Sequence, residues 1–198
     1  MNIAIIGKGN MGSALAKLAE QAGHSIFVAS QDPTTPVLPA IKAADLVILA
    51  VPYGTALALA EDPAVCADLL GKTVIDITNP LAPDYMSLTV GHTSSAGEEI
   101  ARRLPGAKVV KAFNTIFADV LKLRVTGSKV ADTVWVTSDH EDASRTVMGL
   151  ASAFGLDAVD AGPLSNARYL EPMVEQLIQL AYGKGRGAKI GFSLVSAN

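Results

Sequence analysis

The stretch GKGNMG, residues 7–12, follows the apolar run NIAII (residues 2–6) and leads into a helical pattern. Its glycines have the G-x-G-x-x-G spacing of a dinucleotide-binding turn. The first glycine permits a tight turn, the second lets the backbone approach a pyrophosphate, and the third lets the helix pack on the sheet. Free N–H groups at the beginning of such a helix attract phosphate. We therefore expect Gly7, Gly9 and Gly12 to hold a dinucleotide, with a purely structural strand-to-helix turn as the alternative.

Short apolar runs alternate with helical patterns along the whole chain. The apolar runs span residues 2–7, 25–30, 45–52, 73–80, 108–114, 133–139 and 156–162. The helical patterns span residues 10–22, 54–70 with a break at Pro63, 95–104, 140–154 and 164–182. This alternation is typical of βαβ units, so we predict an α/β fold with a Rossmann-type, doubly wound and mostly parallel sheet. We expect residues 1–118 to form the NAD(P)-binding domain and residues 119–198 a small C-terminal α/β lobe packed on it.

Two details refine this prediction. Only about a dozen residues separate the second run from the third, which is enough for one crossover but not for a further strand and helix. A Rossmann half normally has three strands, so we expect the third to be missing or vestigial. Near the end of the chain, GKGRGAK (residues 183–189) is read as a turn into a last strand, KIGFSLV.

Composition narrows the class of protein. The 198-residue chain is 49% hydrophobic and 18% charged, with a net charge of −3, which favours a well-buried core over disorder. No basic stripe for nucleic acid or membrane is present. A single cysteine, Cys66, and three histidines predict neither a disulfide nor a metal site. We expect a globular cytoplasmic protein, and its apolar composition suits a homodimer.

The end of the second strand indicates which dinucleotide is bound. An acidic residue there would bind the ribose 2′-hydroxyl of NAD, but this chain has Ser30 and Gln31, with Asp32 one step further on. Neither residue repels a 2′-phosphate, so NADP(H) is favoured over NAD(H).

A proton donor or acceptor beside the nicotinamide is harder to identify. The candidates near strand ends are Tyr53, His92, Lys111 and Asn114, and no two of them form a convincing acid–base pair. Lys111 can point to either face of its strand, and we favour a solvent-facing side chain. We therefore assign no catalytic side chain. We favour hydride transfer between two cofactors, in which the close placement of the two rings supplies most of the rate enhancement.

Several longer stretches together resemble one family. They are GKGNMG, AVPY (residues 50–53), DITNPL (76–81), SSAGEEIARRLPGAKVVKAFNTI (94–116) and DAGPLSNARYLEPM (160–173). They resemble the coenzyme F420-dependent NADP oxidoreductases and are similar to the cytosolic domain of the STEAP metalloreductases. The resemblance covers nearly the whole chain, and KAFNTI and DAGPLSNAR are its most specific parts.

The resemblance implies an NADP-dependent oxidoreductase that transfers hydride between NADP(H) and a second ring cofactor, F420 or a flavin. Residues implied to hold NADP(H) are Gly7, Gly9, Asn10, Met11, Gly12, Ser30, Gln31, Val51, Pro52, Tyr53, Ala112 and Asn114. Residues implied to line the second cofactor's site are Phe113, Thr115, Ile116, Leu164 and Arg168.

Other interpretations stay open. GKGNMG is also similar to pyrroline-5-carboxylate reductases and to hydroxy-acid dehydrogenases of the 6-phosphogluconate type, which need a further helical domain. A non-catalytic NADP-binding sensor module would also fit the few acid–base residues. Within the resemblance itself, Gln31 stands where the family pattern has Arg, which weakens the expectation of a strict NADP preference.

Replacing Gln31 by Arg tests the NADP expectation. Arg adds a bidentate phosphate contact, so Gln31→Arg should tighten NADPH binding by roughly tenfold or more and NADH binding far less. The measurement is the Kd of each dinucleotide. Equal gains for both would show that the residue 31 side chain does not face the 2′-phosphate.

Overall fold

The computed structural model describes residues 1–30 and 32–197. Its centre is one seven-stranded sheet in the order β2-β1-β3-β4-β5-β6-β7. The strands are β1 (Asn2–Ile6), β2 (Ser25–Ala29), β3 (Leu46–Leu49), β4 (Thr73–Asp76), β5 (Lys108–Lys111), β6 (Thr133–Ser138) and β7 (Asp157–Asp160). All neighbours are parallel except β5 and β6. The predicted Rossmann-type α/β fold is confirmed.

Eight α-helices lie in the described residues; the first seven lie between strands, and the last follows β7. They are α1 (Asn10–Gln21), α2 (Val37–Ala43), α3 (Tyr53–Ala60), α4 (Pro63–Leu69), α5 (Ala96–Arg103), α6 (Ala118–Val125), α7 (Glu141–Ala153) and α8 (Ala167–Ile178). The predicted break at Pro63 is confirmed, because Pro63 begins α4 and Asp62 caps it by accepting from Ala64 N at 2.8 Å. The sequence prediction missed α2 and α6, which have only 7 and 8 residues and too little apolar periodicity to stand out.

The missing third strand is also confirmed. The crossover between β2 and β3 contains only the short helix α2, and β2 forms the edge of the sheet beside β1. The strand that would flank β2 in a full Rossmann half is absent from the described residues.

The core lies on both faces of the sheet. Along β1, Ile3 and Ile5 belong to a cluster with α1, α6 and α7, whereas Ala4 and Ile6 belong to a cluster with α2 to α5. A parallel strand covered on both faces is continuously apolar for this reason. The sheet passes from β5 to β6 without a break, so residues 1–118 and 119–197 share one sheet, and their division into domain and lobe stays a prediction.

The C-terminal part contains the predicted helix of residues 164–182 but, within the described residues, lacks the predicted last strand. Helix α8 continues through Pro172 and ends in a wider π-helical turn, Gln179–Gly183. The expected last strand at KIGFSLV does not form; Phe192 O accepts from Thr133 N at 3.0 Å, and no further ladder bond from this segment to β6 is described. Among the described residues, no helix is both long enough and apolar enough to cross a bilayer.

Candidate functional site

The three glycines of the turn between β1 and α1 differ in their surroundings. Gly7 and Gly12 are tightly packed, whereas Gly9 borders a space in which a ligand can bind. A Cβ at Gly7 would lie 2.1 Å from Ala50 O, and one at Gly12 would lie 2.2 Å from Gly7 O, so both positions exclude side chains by contact with backbone. Gly7 also has a φ of +126°, which favours glycine. A Cβ at Gly9 would meet nothing within 4 Å. Gly9 therefore borders open space above the turn.

The beginning of α1 faces that space. Gly9 is the N-cap residue and supplies no side-chain cap, so the first N–H groups of the helix have no partner within the helix. Such groups, together with the helix dipole, bind phosphate. The open position above Gly9 and the uncapped helix fit a pyrophosphate.

A cleft runs from this turn across the carboxyl ends of the strands. It consists of four adjoining cavities. The loop cavity, about 610 Å³, is lined by Ile6, Gly7, Lys8, Gly9, Ser30, Asp32, Val37, Ala50, Val51, Pro52, Thr55, Ala58, Leu59 and Asp62. The central cavity, about 520 Å³, is lined by Gly9, Asn10, Met11, Ala50, Val51, Pro52, Tyr53, Gly54, Ile77, Thr78, Asn79, Leu81, Ala82, Pro83 and Tyr85.

The other two cavities lie toward α8. The inner cavity, about 270 Å³, is lined by Asn10, Met11, Ile77, Asn79, Asn114, Ile116, Phe117, Ala118, Asp119, Val174, Ile178, Tyr182 and Ala188. The aromatic cavity, about 510 Å³, is lined by Leu81, Asp84, Tyr85, Met86, Phe117, Ile178 and Tyr182. Each cavity shares lining residues with the next, so the four form one continuous cleft at the strand ends, where ligands of open α/β sheets bind.

The loop cavity ends at a polar turn after β2. The Lys8 ammonium lies 3.3 Å from an Asp32 carboxylate oxygen. Hydrogen bonds from the backbone and side chain of Thr34, followed by that from Lys8, lower the pKa of Asp32, so its carboxylate is ionised at neutral pH. The Ser30 hydroxyl lies 3.1 Å from the Thr35 hydroxyl. Lys8 and Ser30 thus place an ammonium group and a hydroxyl group at this end, while Gln31 lies outside the described residues.

Two asparagines meet where the central and inner cavities join. Asn114 Nδ2 donates to Asn79 Oδ1 at 3.0 Å, and Asn79 Nδ2 donates to the backbone carbonyl of Asn114 at 3.3 Å. Asn114 is only 4% exposed, and its Oδ1 has no partner among the described residues. A buried acceptor without a partner costs free energy unless a ligand or water supplies a donor. This pair is therefore suited to bind an N–H group of a ligand.

Phe113 lies between the end of β5 and Asn114, and its backbone sets the direction of the chain there. Its backbone has a φ of +60°, which is rare for a bulky residue, and its side chain is fully buried. The ring packs on Phe154 with centroids 6.0 Å apart. Such outliers persist only where packing holds them, and they cluster at functional sites.

A buried ionic cluster lies directly behind the strand ends. The Lys111 ammonium is 2.9 Å from Asp76 and 2.7 Å from Glu171, and it donates to Thr78 O at 2.5 Å. All three charged side chains are buried. Burial lowers the pKa of Lys111, but the carboxylates of Asp76 and Glu171 raise it more, so its pKa lies above the ordinary value.

Glu171 extends the cluster to a helix end. Its carboxylate accepts from Ala96 N at 2.9 Å and Gly97 N at 3.2 Å, the first N–H groups of α5. The positive end of that helix thereby offsets the second carboxylate. The cluster therefore links β4, β5, α5 and α8. Asn79 follows β4 and Asn114 follows β5, so the cluster holds both segments against α8, the helix that forms the far wall of the cleft.

The far wall itself is apolar and aromatic. Phe117 and Tyr182 pack edge to face with centroids 6.0 Å apart. Both rings line the inner and the aromatic cavity, together with Ile178. Tyr182 is 65% exposed, so much of its ring is free to contact a ligand.

Comparison with known proteins agrees with this geometry. The sequence profile of the family described as NADP oxidoreductase coenzyme F420-dependent matches residues 2–37. The F420-dependent NADP reductase of Methanothermobacter marburgensis is 32% identical over an alignment of 213 positions, which covers 91% of this chain and 92% of that protein. The chain belongs to the F420-dependent NADP reductase family. It is thereby an NADP-dependent oxidoreductase.

Other relatives support the F420-dependent NADP reductase assignment. A crystal structure from Arthrobacter sp. FB24, provisionally named an F420-dependent NADP reductase, superposes with a TM-score of 0.88 at 28% identity, over 99% of this chain and 100% of that one. Metalloreductase STEAP3 of Rattus norvegicus is 28% identical over 89% of this chain, but the chain spans only 37% of its length. Imine and pyrroline carboxylate reductases, at 15–17% identity and TM-scores of 0.56–0.64, share the fold alone.

The structure brings most of the predicted NADP(H) residues of this reductase to the cleft. Those that line it are Gly7, Gly9, Asn10, Met11, Ser30, Val51, Pro52, Tyr53 and Asn114. Gly12 and Ala112 are buried behind the cleft wall. The roles of these residues stay predictions.

The predicted lining of the second cofactor is scattered. Ile116 alone lines the inner cavity. Phe113, Thr115 and Leu164 are buried in the core. Arg168 donates to Glu98 from Nε at 2.8 Å and from Nη2 at 2.5 Å, and this pairing lowers the pKa of Glu98. The structure does not bring these four to the cleft.

Sequence reasoning placed Lys111 wrongly and overlooked four residues. Lys111 was expected to face solvent, whereas it is buried between two carboxylates that lie far from it in sequence. Four residues that line the cleft were not predicted as site residues: Asn79, Tyr85, Phe117 and Tyr182. Asn79 could have been found from its place directly after the β4 run, but no local pattern marks the three aromatic residues.

The glycine turn gives a first prediction for this reductase. Gly9→Ala should leave the free energy of unfolding within about 0.5 kcal/mol, because the new methyl group meets no protein atom. It should weaken NADPH binding by tenfold or more, because the methyl group occupies the space of the pyrophosphate. Gly12→Ala is the matched control and should unfold the protein instead. If Gly9→Ala binds NADPH normally, the pyrophosphate does not lie on this turn.

The ionic cluster gives a second prediction. Lys111→Met leaves two carboxylates buried without their cation and should lower the free energy of unfolding by about 3–5 kcal/mol in urea titrations. Lys108→Met is the control from the same strand: its partner Asp142 is exposed, so the loss should stay below about 1 kcal/mol. The combined variant Asp76→Asn, Lys111→Met, Glu171→Gln should recover most of the stability. Equal losses at positions 108 and 111 would contradict the buried pairing.

Proposed function

We propose that this NADP-dependent oxidoreductase transfers hydride between NADP(H) and a second ring cofactor, F420 or a flavin. One observation carries the proposal: two of the cavities adjoin. The central cavity, where the nicotinamide would lie, shares the lining residues Leu81 and Tyr85 with the aromatic cavity. Two planar rings placed in these cavities would lie side by side. The names of the relatives, which include F420 and NADP, support the same reaction.

The residues present fit the dinucleotide. The uncapped beginning of α1 and the open space above Gly9 would hold the pyrophosphate. Lys8 and Ser30 would face the adenosine end, and Val51 and Tyr53 the ribose and nicotinamide. Bound NADPH supplies the hydride. The chain's own contribution is to hold the nicotinamide against the central cavity and to keep water from it.

The second ring would lie toward α8. Phe117, Ile178 and Tyr182 offer an apolar and aromatic wall for stacking, and the free Oδ1 of Asn114 can accept an N–H from a ring or carboxamide. We propose accordingly that residues 1–118 bind the dinucleotide and that residues 119–198, which contain α8, complete the site of the second ring.

The polar groups of the cleft fit a transfer between carriers. Beside the central cavity the described side chains offer amides and the hydroxyls of tyrosine and threonine. Burial, with a smaller contribution from Glu99, raises the pKa of Tyr53, so its hydroxyl keeps its proton. Hydride transfer between two oriented rings needs no side-chain base, because positioning supplies most of the rate enhancement.

The alternative enzymes gain no specific support from the structure. Pyrroline-5-carboxylate reductases and hydroxy-acid dehydrogenases need a further helical domain. Here, residues 133–160 form a βαβ unit that continues the sheet. A non-catalytic NADP sensor is the remaining alternative, and turnover distinguishes it.

The proposal is tested by mixing the protein with NADPH and F420, FMN or FAD and following the loss of absorbance at the nicotinamide band. At least one ring acceptor should be reduced. No turnover with any of them, despite tight NADPH binding, would overturn the proposal in favour of a sensor.

A pair of tyrosine variants locates the second ring. Tyr182→Ala should raise the KM of the ring acceptor about three- to tenfold, the value of one aromatic contact, and leave the Kd of NADPH unchanged. Tyr169→Ala is the matched control, since Tyr169 is 73% exposed on α8 but lines none of the four cavities. Equal effects of the two variants would place the ring elsewhere.

A further inference from the structure

A hairpin loop, residues 80–89, forms part of the wall of two cavities of the cleft. Leu81 and Tyr85 line both the central and the aromatic cavity, and Met86 lines the aromatic cavity. The hairpin loop therefore borders the place where the two proposed rings would meet.

The hairpin loop is closed by its own hydrogen bonds. Leu81 and Leu88 form an isolated antiparallel bridge. At the base, the N–H and the hydroxyl of Thr89 both donate to Pro80 O, at 2.7 Å and 3.0 Å. These bonds lie within residues 80–89, so the hairpin loop can move as a unit without losing them.

Among the described residues, a single side-chain hydrogen bond joins the hairpin loop to a segment distant in sequence. Gln179 Nε2 donates to Met86 O at 3.1 Å, and we call this bond the latch. Gln179 begins the π-helical turn that follows α8. Beside the latch, Met86 Cε packs over Gly183, where an added Cβ would lie 3.3 Å from it. The latch thus ties the hairpin loop to the end of the far wall of the cleft.

Glu175 orients the side chain that forms the latch. Its Oε1 accepts from the same Gln179 Nε2 at 3.2 Å, so the two N–H groups of that amide serve Glu175 and Met86 O. Glu175 is only 9% exposed, and its Oε2 has no partner among the described residues. A buried carboxyl oxygen without a partner lowers stability. Glu175 therefore directs Gln179 at a cost to the fold.

The latch differs from the buried cluster around Lys111 in its exposure. Gln179 is exposed, whereas Lys111 and its partners are buried. A hydrogen bond that water can replace shifts an equilibrium by only about three- to tenfold. The latch can therefore open and close while the core stays packed.

We propose that Gln179 is a positioning residue: the latch holds the hairpin loop closed over the two rings during transfer, and its release opens the cleft for exchange of the ring ligand. The inference rests on the proposed function and adds how access to that site is controlled. Gln179 acts through the walls formed by Leu81 and Tyr85. Loops that cover a site keep water out, and their opening sets the rate of ligand exchange.

The first test needs no ligand. Gln179→Glu keeps the shape of the side chain but replaces both donors, so oxygen atoms face Met86 O and Glu175. Hydrogen–deuterium exchange of the whole protein is followed by mass spectrometry. Amides of residues 80–89 should exchange about three- to tenfold faster than in the wild type, and peptides from the sheet should not change.

Two further variants control this test. Gln176→Glu adds the same charge to α8 at an exposed side chain with no hydrogen bond among the described residues, and it should leave the exchange unchanged. Gln179→Lys restores a donor to both acceptors and should return the exchange to that of the wild type.

A second test follows the bound nicotinamide. Acrylamide, which is uncharged, should quench the fluorescence of bound NADPH about twofold more strongly in Gln179→Glu, because an open loop admits water and solutes. The KM of the ring acceptor should rise about three- to tenfold, and the Kd of NADPH should stay within about twofold because the pyrophosphate lies at the other end of the cleft.

Glu175→Met separates positioning from simple stabilisation. It removes a buried carboxyl group with an unpaired oxygen, so the melting temperature should stay the same or rise. The amides of residues 80–89 should nevertheless exchange faster, because Gln179 loses its orientation. A lower melting temperature would show that Glu175 stabilises α8 and does not serve the latch.

The outcomes separate this inference from the proposed function. Unchanged exchange in Gln179→Glu, or an equal increase in Gln176→Glu, overturns the inference. Faster exchange with unchanged acrylamide quenching also overturns it, because the hairpin loop would then not cover the nicotinamide. Absence of turnover with every ring acceptor overturns the proposed function, and the exchange and quenching measurements, which need no acceptor, still decide whether the latch closes the cleft.

Discussion

The contact between the Lys111 ammonium and the carboxylates of Asp76 and Glu171 is the interaction on which the rest of the site depends. Three buried charges are tolerated because each is paired and because Glu171 also accepts from the first N–H groups of α5. The cost of breaking such a cluster keeps β4, β5 and α8 in one arrangement. The inner cavity is lined by Asn79 and Asn114, which follow β4 and β5, and by Ile178 of α8, so this contact holds two walls of that cavity together.

The two ends of the cleft are built by different means. At the dinucleotide end, backbone forms the site: glycines allow the turn to approach the sheet, and an uncapped helix supplies N–H groups. At the far end, side chains form it, with Phe117 and Tyr182 on one wall. A backbone site suits a pyrophosphate, which has the same shape in every dinucleotide. An aromatic wall suits a planar ring, whose identity can vary among acceptors.

Between the two ends lies a short polar bridge made by Asn79 and Asn114. Phe113, directly before Asn114, adopts a left-handed backbone conformation, and the packing of its ring in the core offsets the cost of that conformation. The family's reaction and this geometry agree in one respect. The proposed transfer would need the protein to orient two rings, and it would need no side chain to exchange protons.

The sequence by itself determined the alternation of strands and helices, the absence of the third Rossmann strand and the glycine turn, because these depend on local periodicity, segment length and backbone freedom. Only the tertiary structure decided the environment of Lys111, since its partners lie 35 and 60 residues away. The tertiary structure also shows that Phe113, Leu164 and Arg168 lie away from the cleft and that Tyr182 lines it. Side-chain direction at a strand end or on a helix is set by packing against distant segments, and no local pattern encodes that.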